Sequence, residues 1–263
     1  MNGKQTRIIA IANEKGGVGK TASVINLGAA FASEGRSVLI VDMDPQCNAT
    51  SGLGIECGNG ALTTYDLITN SETISVNDSV QNTQWPGLDL IPSHVDLAGA
   101  EVELINEIGR ENRLREAFEN LTKSYDIILL DTPPSLSLLT VNVFAFATEV
   151  LVPCQTQPYA FDALVGLFDT IRTIRKYINS GLAIAGIFAT FYDRRTKISQ
   201  TIMEKLQTDD RYKSLIYKTA IRANTAIAAS ADACQPVVFF KPESHGANDY
   251  SNLAKEYITR NFT

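Results

Sequence analysis

Residues 7 to 21 read Arg7-Ile-Ile-Ala-Ile-Ala-Asn13, then Glu14-Lys15-Gly16-Gly17-Val18-Gly19-Lys20-Thr21. The first part is a short apolar run and predicts a buried strand. The second is a glycine loop, and it opens onto a stretch in which Val24, Leu27 and Phe31 fall at helical spacing, with Gly35 as a stop. Strand, glycine loop and helix together make a phosphate loop. Gly16, Gly17 and Gly19 let backbone N–H groups curl around phosphate oxygens. The helix start adds its positive dipole end. Lys20 is expected to reach the β- and γ-phosphates, and the Thr21 hydroxyl to bind Mg²⁺. Lys15 sits on the near side of the glycines, where one nucleotide's phosphates need no further charge. It suggests a site completed by a second chain, and a switch rather than a simple hydrolase.

Further along, short apolar runs without alternation recur at 38–41, 127–130, 150–152, 184–188 and 237–240. Such runs fit strands covered on both faces, as in a parallel sheet. Helical patterns lie between them, at about 96–122, 160–179, 198–207 and 247–260. The alternation predicts an α/β fold: a doubly wound, mostly parallel sheet flanked by helices, built as a single domain over residues 1–263. The polar stretch 70–87 reads as a surface excursion within it.

Two strands end in acids, and ligands bind at strand carboxyl ends in such sheets. In Asp126-Ile-Ile-Leu-Leu-Asp131-Thr-Pro-Pro134, Asp131 follows four apolar residues and is expected to hold Mg²⁺ directly or through water. In Val38-Leu-Ile-Val-Asp42-Met-Asp44-Pro45-Gln46, Asp44 lies just beyond its strand and is assigned to orienting or activating the attacking water. Thr21, Asp44 and Asp131 thus form the magnesium set. Asp42 either bridges to the Mg²⁺ shell or simply caps. Gln46 and Asn48 contact the water or a facing chain, or are solvated loop.

The 263 residues carry 23 Lys and Arg against 29 Asp and Glu, a net charge of −6, so any DNA contact must come from a local patch. Cys47, Cys57, Cys154 and Cys234 are scattered without a C-x-x-C pair, as reduced thiols of a cytoplasmic protein would be. No signal peptide is seen, and no run reaches the roughly 18 apolar residues of a membrane span. The C-terminal helical pattern from Tyr250 to Ile258 reads as packing, since Lys255 and Glu256 balance on its polar side.

Lys15-Gly-Gly-Val-Gly-Lys20-Thr21 resembles the deviant Walker A loop of the ParA/MinD group of P-loop ATPases. Asp42-Met-Asp-Pro-Gln46, Asn48-Ala-Thr-Ser-Gly-Leu-Gly54, Leu130-Asp-Thr-Pro-Pro134, Pro158-Tyr-Ala-Phe-Asp-Ala-Leu-Val-Gly166 and Tyr192-Asp-Arg-Arg-Thr196 resemble its ParA/Soj branch in particular. The similarity runs from about residue 6 to 260. With no helix-turn-helix region ahead of the loop, it is nearest to the short, chromosomal-type members.

The resemblance implies an ATP-dependent homodimer. Two ATP molecules are sandwiched, Lys15 crosses to the partner's phosphates, and Lys15, Lys20 and Asp44 carry catalysis. Lys15, Gly16, Gly17, Val18, Gly19, Lys20, Thr21 and Ala22 would cradle the nucleotide, and Asn224 would read adenine. The ATP dimer would bind double-stranded DNA without sequence preference through Arg194, Arg195, Lys197, Lys218 and Arg222, on the nucleoid. A ParB-like centromere-binding protein would stimulate weak hydrolysis and release it. Arg222 falls where chromosomal members often have proline, so its contact, nucleotide or DNA, stays open. Ala226 stands where the family has a second arginine. The same switch could instead position a protein cargo, such as a chemoreceptor or polar assembly. A MinD-like membrane regulator is disfavoured by the balanced C-terminal helix, which implies no stable membrane association. An iron–sulfur reductase sharing the loop would need a pair of cluster cysteines that the sequence does not offer.

Overall fold

The computed structural model describes residues 6–58, 60–70 and 73–262. Seven strands form one sheet: β1 (Arg7–Ile11), β2 (Val38–Asp42), β3 (Gln81–Asn82), β4 (Leu88–Ile91), β5 (Ile127–Asp131), β6 (Glu149–Gln155) and β7 (Ala183–Thr190). Their order is β3-β4-β2-β5-β1-β6-β7, with every pair parallel except β3 and β4. The chain leaves β1 towards β2 on one side and later returns to β6 on the other. The carboxyl end of β1 is therefore the switch point of the sheet, where a crevice for ligand forms.

The runs lack alternation because both faces are covered. Ile9, Ile11, Val38, Ile40, Ile127 and Leu129 point into one apolar layer, shared with the helix Lys20–Ser33 and the C-terminal helix His245–Asn261. Ala10, Leu39, Val41, Ile128 and Leu130 point into the other, beneath the helices Leu138–Phe146, Ala160–Tyr177 and Lys197–Thr208. The C-terminal helix packs as its pattern predicts, with Tyr250, Leu253, Ala254 and Tyr257 buried. Its Tyr257 hydroxyl donates to Glu149 of β6, which also accepts from Arg7 of β1 at 2.8 and 2.7 Å.

Three sequence expectations are corrected. Val237–Phe240 is a helical turn rather than a strand: Pro236 precedes it, and the Val237 N–H donates to Asn26 Oδ1 at 2.6 Å instead of joining a ladder. The helix expected over 96–122 is broken. It runs Leu97–Glu103, passes through short 3₁₀ turns and resumes at Arg113–Ala117. Gly109, at φ 74°, adopts a left-handed conformation that no helix continues through. The stretch 70–87 is not wholly an excursion, since it supplies β3 at the sheet edge; its residues 71 and 72 lie outside the described residues.

Candidate nucleotide site

The glycine loop joins β1 to the helix Lys20–Ser33. Gly17 (φ 74°) and Gly19 (φ 89°) are left-handed, which a side chain would oppose, and this turns successive N–H groups to one side. The loop is held from three directions. The Lys15 N–H donates to Asn13 Oδ1 (2.9 Å), and Asn13 Nδ2 donates to the Pro153 carbonyl of β6 (2.8 Å). The Val18 carbonyl accepts from the Thr190 hydroxyl at the end of β7 (2.9 Å). Glu14 accepts from the Thr170 hydroxyl (3.2 Å) and lies so close to Gly166 that a Cβ there would sit 2.4 Å from its Oε2. Lys15 is half-buried, and among the described residues its ammonium has no salt-bridge partner. Lys20 opens the helix and is only 7% exposed. Burial lowers its pKa, with the Asp131 and Asp44 carboxylates opposing.

The sheet register sets Asp42 beside Asp131 at the carboxyl ends of β2 and β5. Their surroundings differ sharply. Asp42 Oδ2 accepts from the Thr50 N–H (2.9 Å) and hydroxyl (2.7 Å), and its Oδ1 from the Asp44 N–H (3.1 Å). It therefore caps the short helix Asn48–Gly52, the capping role being one of the two open from sequence. Burial raises its pKa to about 6, against the pull of those hydrogen bonds. Asp131 is fully buried, and neither carboxylate oxygen has a hydrogen-bond partner. Burial first, and the Asp42 charge next, push its carboxyl well above the usual range. Thr21 and Lys20 pull the other way without closing a hydrogen bond. Asp44 is 7% exposed and forms a turn through Pro45, with its Oδ1 accepting from the Gln46 N–H (3.0 Å). Gln46 and Asn48 are both exposed.

Beyond the loop opens a mainly apolar cavity of about 220 Å³. Gly19 and Ala22 form one wall, and Asn224, Ile227 and Phe191 lie around it. Asn224 caps the helix Thr225–Asp232, its Oδ1 accepting from the Ala226 N–H (2.8 Å). One site thus assembles from a phosphate-type loop, a buried carboxylate with unpaired oxygens and a mainly apolar pocket.

A family model for an AAA domain matches residues 6–184. The sporulation initiation inhibitor protein Soj of Bacillus subtilis is 42% identical over 250 residues, covering 95% of this chain and 97% of that protein. The chromosome partitioning protein ParA of Myxococcus xanthus is 39% identical, covering 97% and 88%. The chain belongs to the ParA/Soj family of partitioning ATPases. Among solved structures, cobyrinic acid a,c-diamide synthase from Mycobacterium smegmatis, with bound ATP analogue and magnesium, superposes with a TM-score of 0.81 at 32% identity, covering 95% of this chain and 93% of that one.

The basic residues that the ParA/Soj resemblance assigns to DNA come from two segments that adjoin where Tyr192 bridges to Arg222. Arg194, Arg195, Lys197 and Lys218 are exposed. Arg195 is held by Asp193, with Nε and Nη2 contacts of 3.0 and 2.9 Å. Arg222 lines the cavity and is bound to the buried Asp249 at 2.6 Å. Ala226 is buried, so no side chain reaches out from it. His94 pairs with Asp96 at the surface, and the four cysteines are free. Phe191, in the wall of the cavity, was not among the residues expected from sequence. It stands in a left-handed conformation (φ 50°) just after β7, a feature that no sequence pattern signals.

Proposed function

We propose that this ParA/Soj-family protein is an ATP-driven dimerisation switch for DNA partitioning, built as one domain over residues 1–263. The observation that carries the reading is Asp131, fully buried beside the loop with both carboxylate oxygens unpartnered. A buried carboxylate left unmade is costly unless a ligand completes it. Two free acceptors next to the Thr21 hydroxyl suit a hard divalent cation, which takes oxygen ligands and keeps several waters. Among the described residues no group of three or more His, Cys, Asp or Glu side chains forms a cage, so the remaining ligands would be phosphate and water. Thr21 and Asp131 would hold magnesium, with Asp44 close to its shell. Bound there, magnesium would supply charge neutralisation between the phosphates.

The loop amides and Lys20 bind the phosphates, and Asn224 meets the adenine. Lys15 reaches the partner's phosphates when two chains close, adding charge only in the dimer. Asp44 orients the attacking water. Arg194, Arg195, Lys197 and Lys218 engage the phosphates of nucleoid DNA, and a ParB-like partner stimulates hydrolysis. The names of the relatives support the partitioning role. Against a membrane regulator, the apolar side of the C-terminal helix is already buried.

Size-exclusion light scattering of the Asp44→Ala variant tests the switch. With ATP it should elute as a stable dimer, and with ADP as a monomer. A monomer in both would contradict the reading.

A further inference from the structure

Phe191 follows the last residue of β7 and lies 47% exposed with φ 50°. Left-handed backbone is unfavourable for a bulky residue, and glycine would avoid the strain. The conformation is imposed from both sides. The Thr190 hydroxyl before it is tied to Val18 of the loop (2.9 Å). The Tyr192 N–H after it donates to the Ile221 carbonyl (3.0 Å), and its own carbonyl accepts from the Thr156 hydroxyl (3.3 Å). Strain of this kind clusters at active sites and ligand clamps. The exposure argues against a filler of the core. The ring lies against the phosphate loop: a Cβ on Gly19 would sit 3.5 Å from its Cε2. It lines the same cavity as Ala22, Asn224 and Ile227.

That cavity, at about 220 Å³, is smaller than pockets that enclose a whole small-molecule ligand, which start at roughly 300 Å³. It takes one flat fragment, the remainder lying along the loop. We propose that Phe191 is the stacking platform of this site: its ring covers one face of the nucleotide base, while Asn224 reads the base edge. Asn224 Oδ1 is used by its cap, which leaves the amide N–H groups to donate. The two residues divide the work. A π-face accepts any base, so Phe191 contributes affinity, whereas the fixed donor of Asn224 supplies discrimination. This inference rests on the nucleotide reading above and names a residue that reading does not use.

The test separates base from phosphate. Titration calorimetry measures magnesium ADP, magnesium GDP and inorganic tripolyphosphate on the wild type, Phe191→Leu and Phe191→Tyr. Phe191→Leu should weaken ADP and GDP alike, by about tenfold, and Phe191→Tyr should restore both. Tripolyphosphate should bind all three proteins equally. Equal ADP affinity in wild type and Phe191→Leu overturns the proposal. So does a parallel loss of ADP and tripolyphosphate, which would mean that the ring only props the loop. A wild type that binds neither ligand overturns the nucleotide reading together with the inference, whereas tripolyphosphate binding without a base effect overturns the inference alone. Phe191→Trp gives a second readout: the new indole's emission should shift with ADP and not with tripolyphosphate. An emission unmoved by ADP counts against stacking.

Discussion

Asp131 and Asp42 show how two acids of the same type, side by side in register, acquire different tasks. Both were visible from sequence as strand-end aspartates. Nothing in the sequence separated a capping role from a ligand role for Asp42, because its partner Thr50 lies eight residues on, in the short helix Asn48–Gly52, and no spacing rule ties the two. In the structure both carboxylate oxygens of Asp42 accept hydrogen bonds and neither of Asp131 does. An unpaired buried carboxylate destabilises the protein when no ligand is bound. Asp131→Asn should therefore stabilise the nucleotide-free protein by roughly 1–3 kcal/mol. It should also abolish most of the further stabilisation that magnesium ATP gives the wild type. Thermal melts with and without magnesium ATP check both halves, and a less stable nucleotide-free variant would count against this account.

At the level of elements, the edge of β7 is closed by an irregular segment that the sequence did not reveal. Residues 215–223 run beside the strand, with Ile187 N–H to Leu215, Tyr217 N–H to Ile187 and Ile221 N–H to Ala189 bonds each of 2.8 Å. This covers an edge that would otherwise offer unpaired backbone groups. The C-terminal helix anchors it through Glu256, which accepts from the Lys218 and Thr219 N–H groups at 2.8 and 2.9 Å and pairs with Arg260. Burial alone would raise the Glu256 pKa, but these donors outweigh it and hold it below the usual value. A carboxyl lowered on folding gives stability that is complete above its unfolded pKa and lost as pH falls through the folded one. Glu256→Gln should cost about 1 kcal/mol at pH 7, and its difference from wild type should shrink below about pH 4. Urea unfolding at the two pH values measures this. The central strands and long helices were legible because apolar runs and helical spacing are local. The β7 flank, the β3 edge and the Val237–Phe240 turn were not, because single long-range bonds decide them.

For the whole molecule, a net charge of −6 coexists with exposed basic residues, Arg194, Arg195 and Lys197 after β7 and Lys218 on the segment that flanks that strand. In the proposed ATP dimer these residues would be present twice, and each phosphate contact would add close to one unit to the salt dependence. Arg195→Glu should weaken ATP-dependent DNA binding and flatten its log–log salt slope. Fluorescence anisotropy over a salt series gives both quantities, and an unchanged slope would remove Arg195 from the interface. The resemblance identified these residues, but only the structure shows that Arg195 is shared with Asp193 and that Arg222 belongs to the cavity wall. The Glu149 cluster carries a different consequence, for how the chain is made. Glu149 takes donors from Arg7 near the start and Tyr257 near the end. A chain built only as far as the sheet has Arg7 on this carboxylate but not Tyr257, and the helix Lys20–Ser33 covers that face without the C-terminal helix that packs beside it. The last helix therefore completes a layer that the first helix begins.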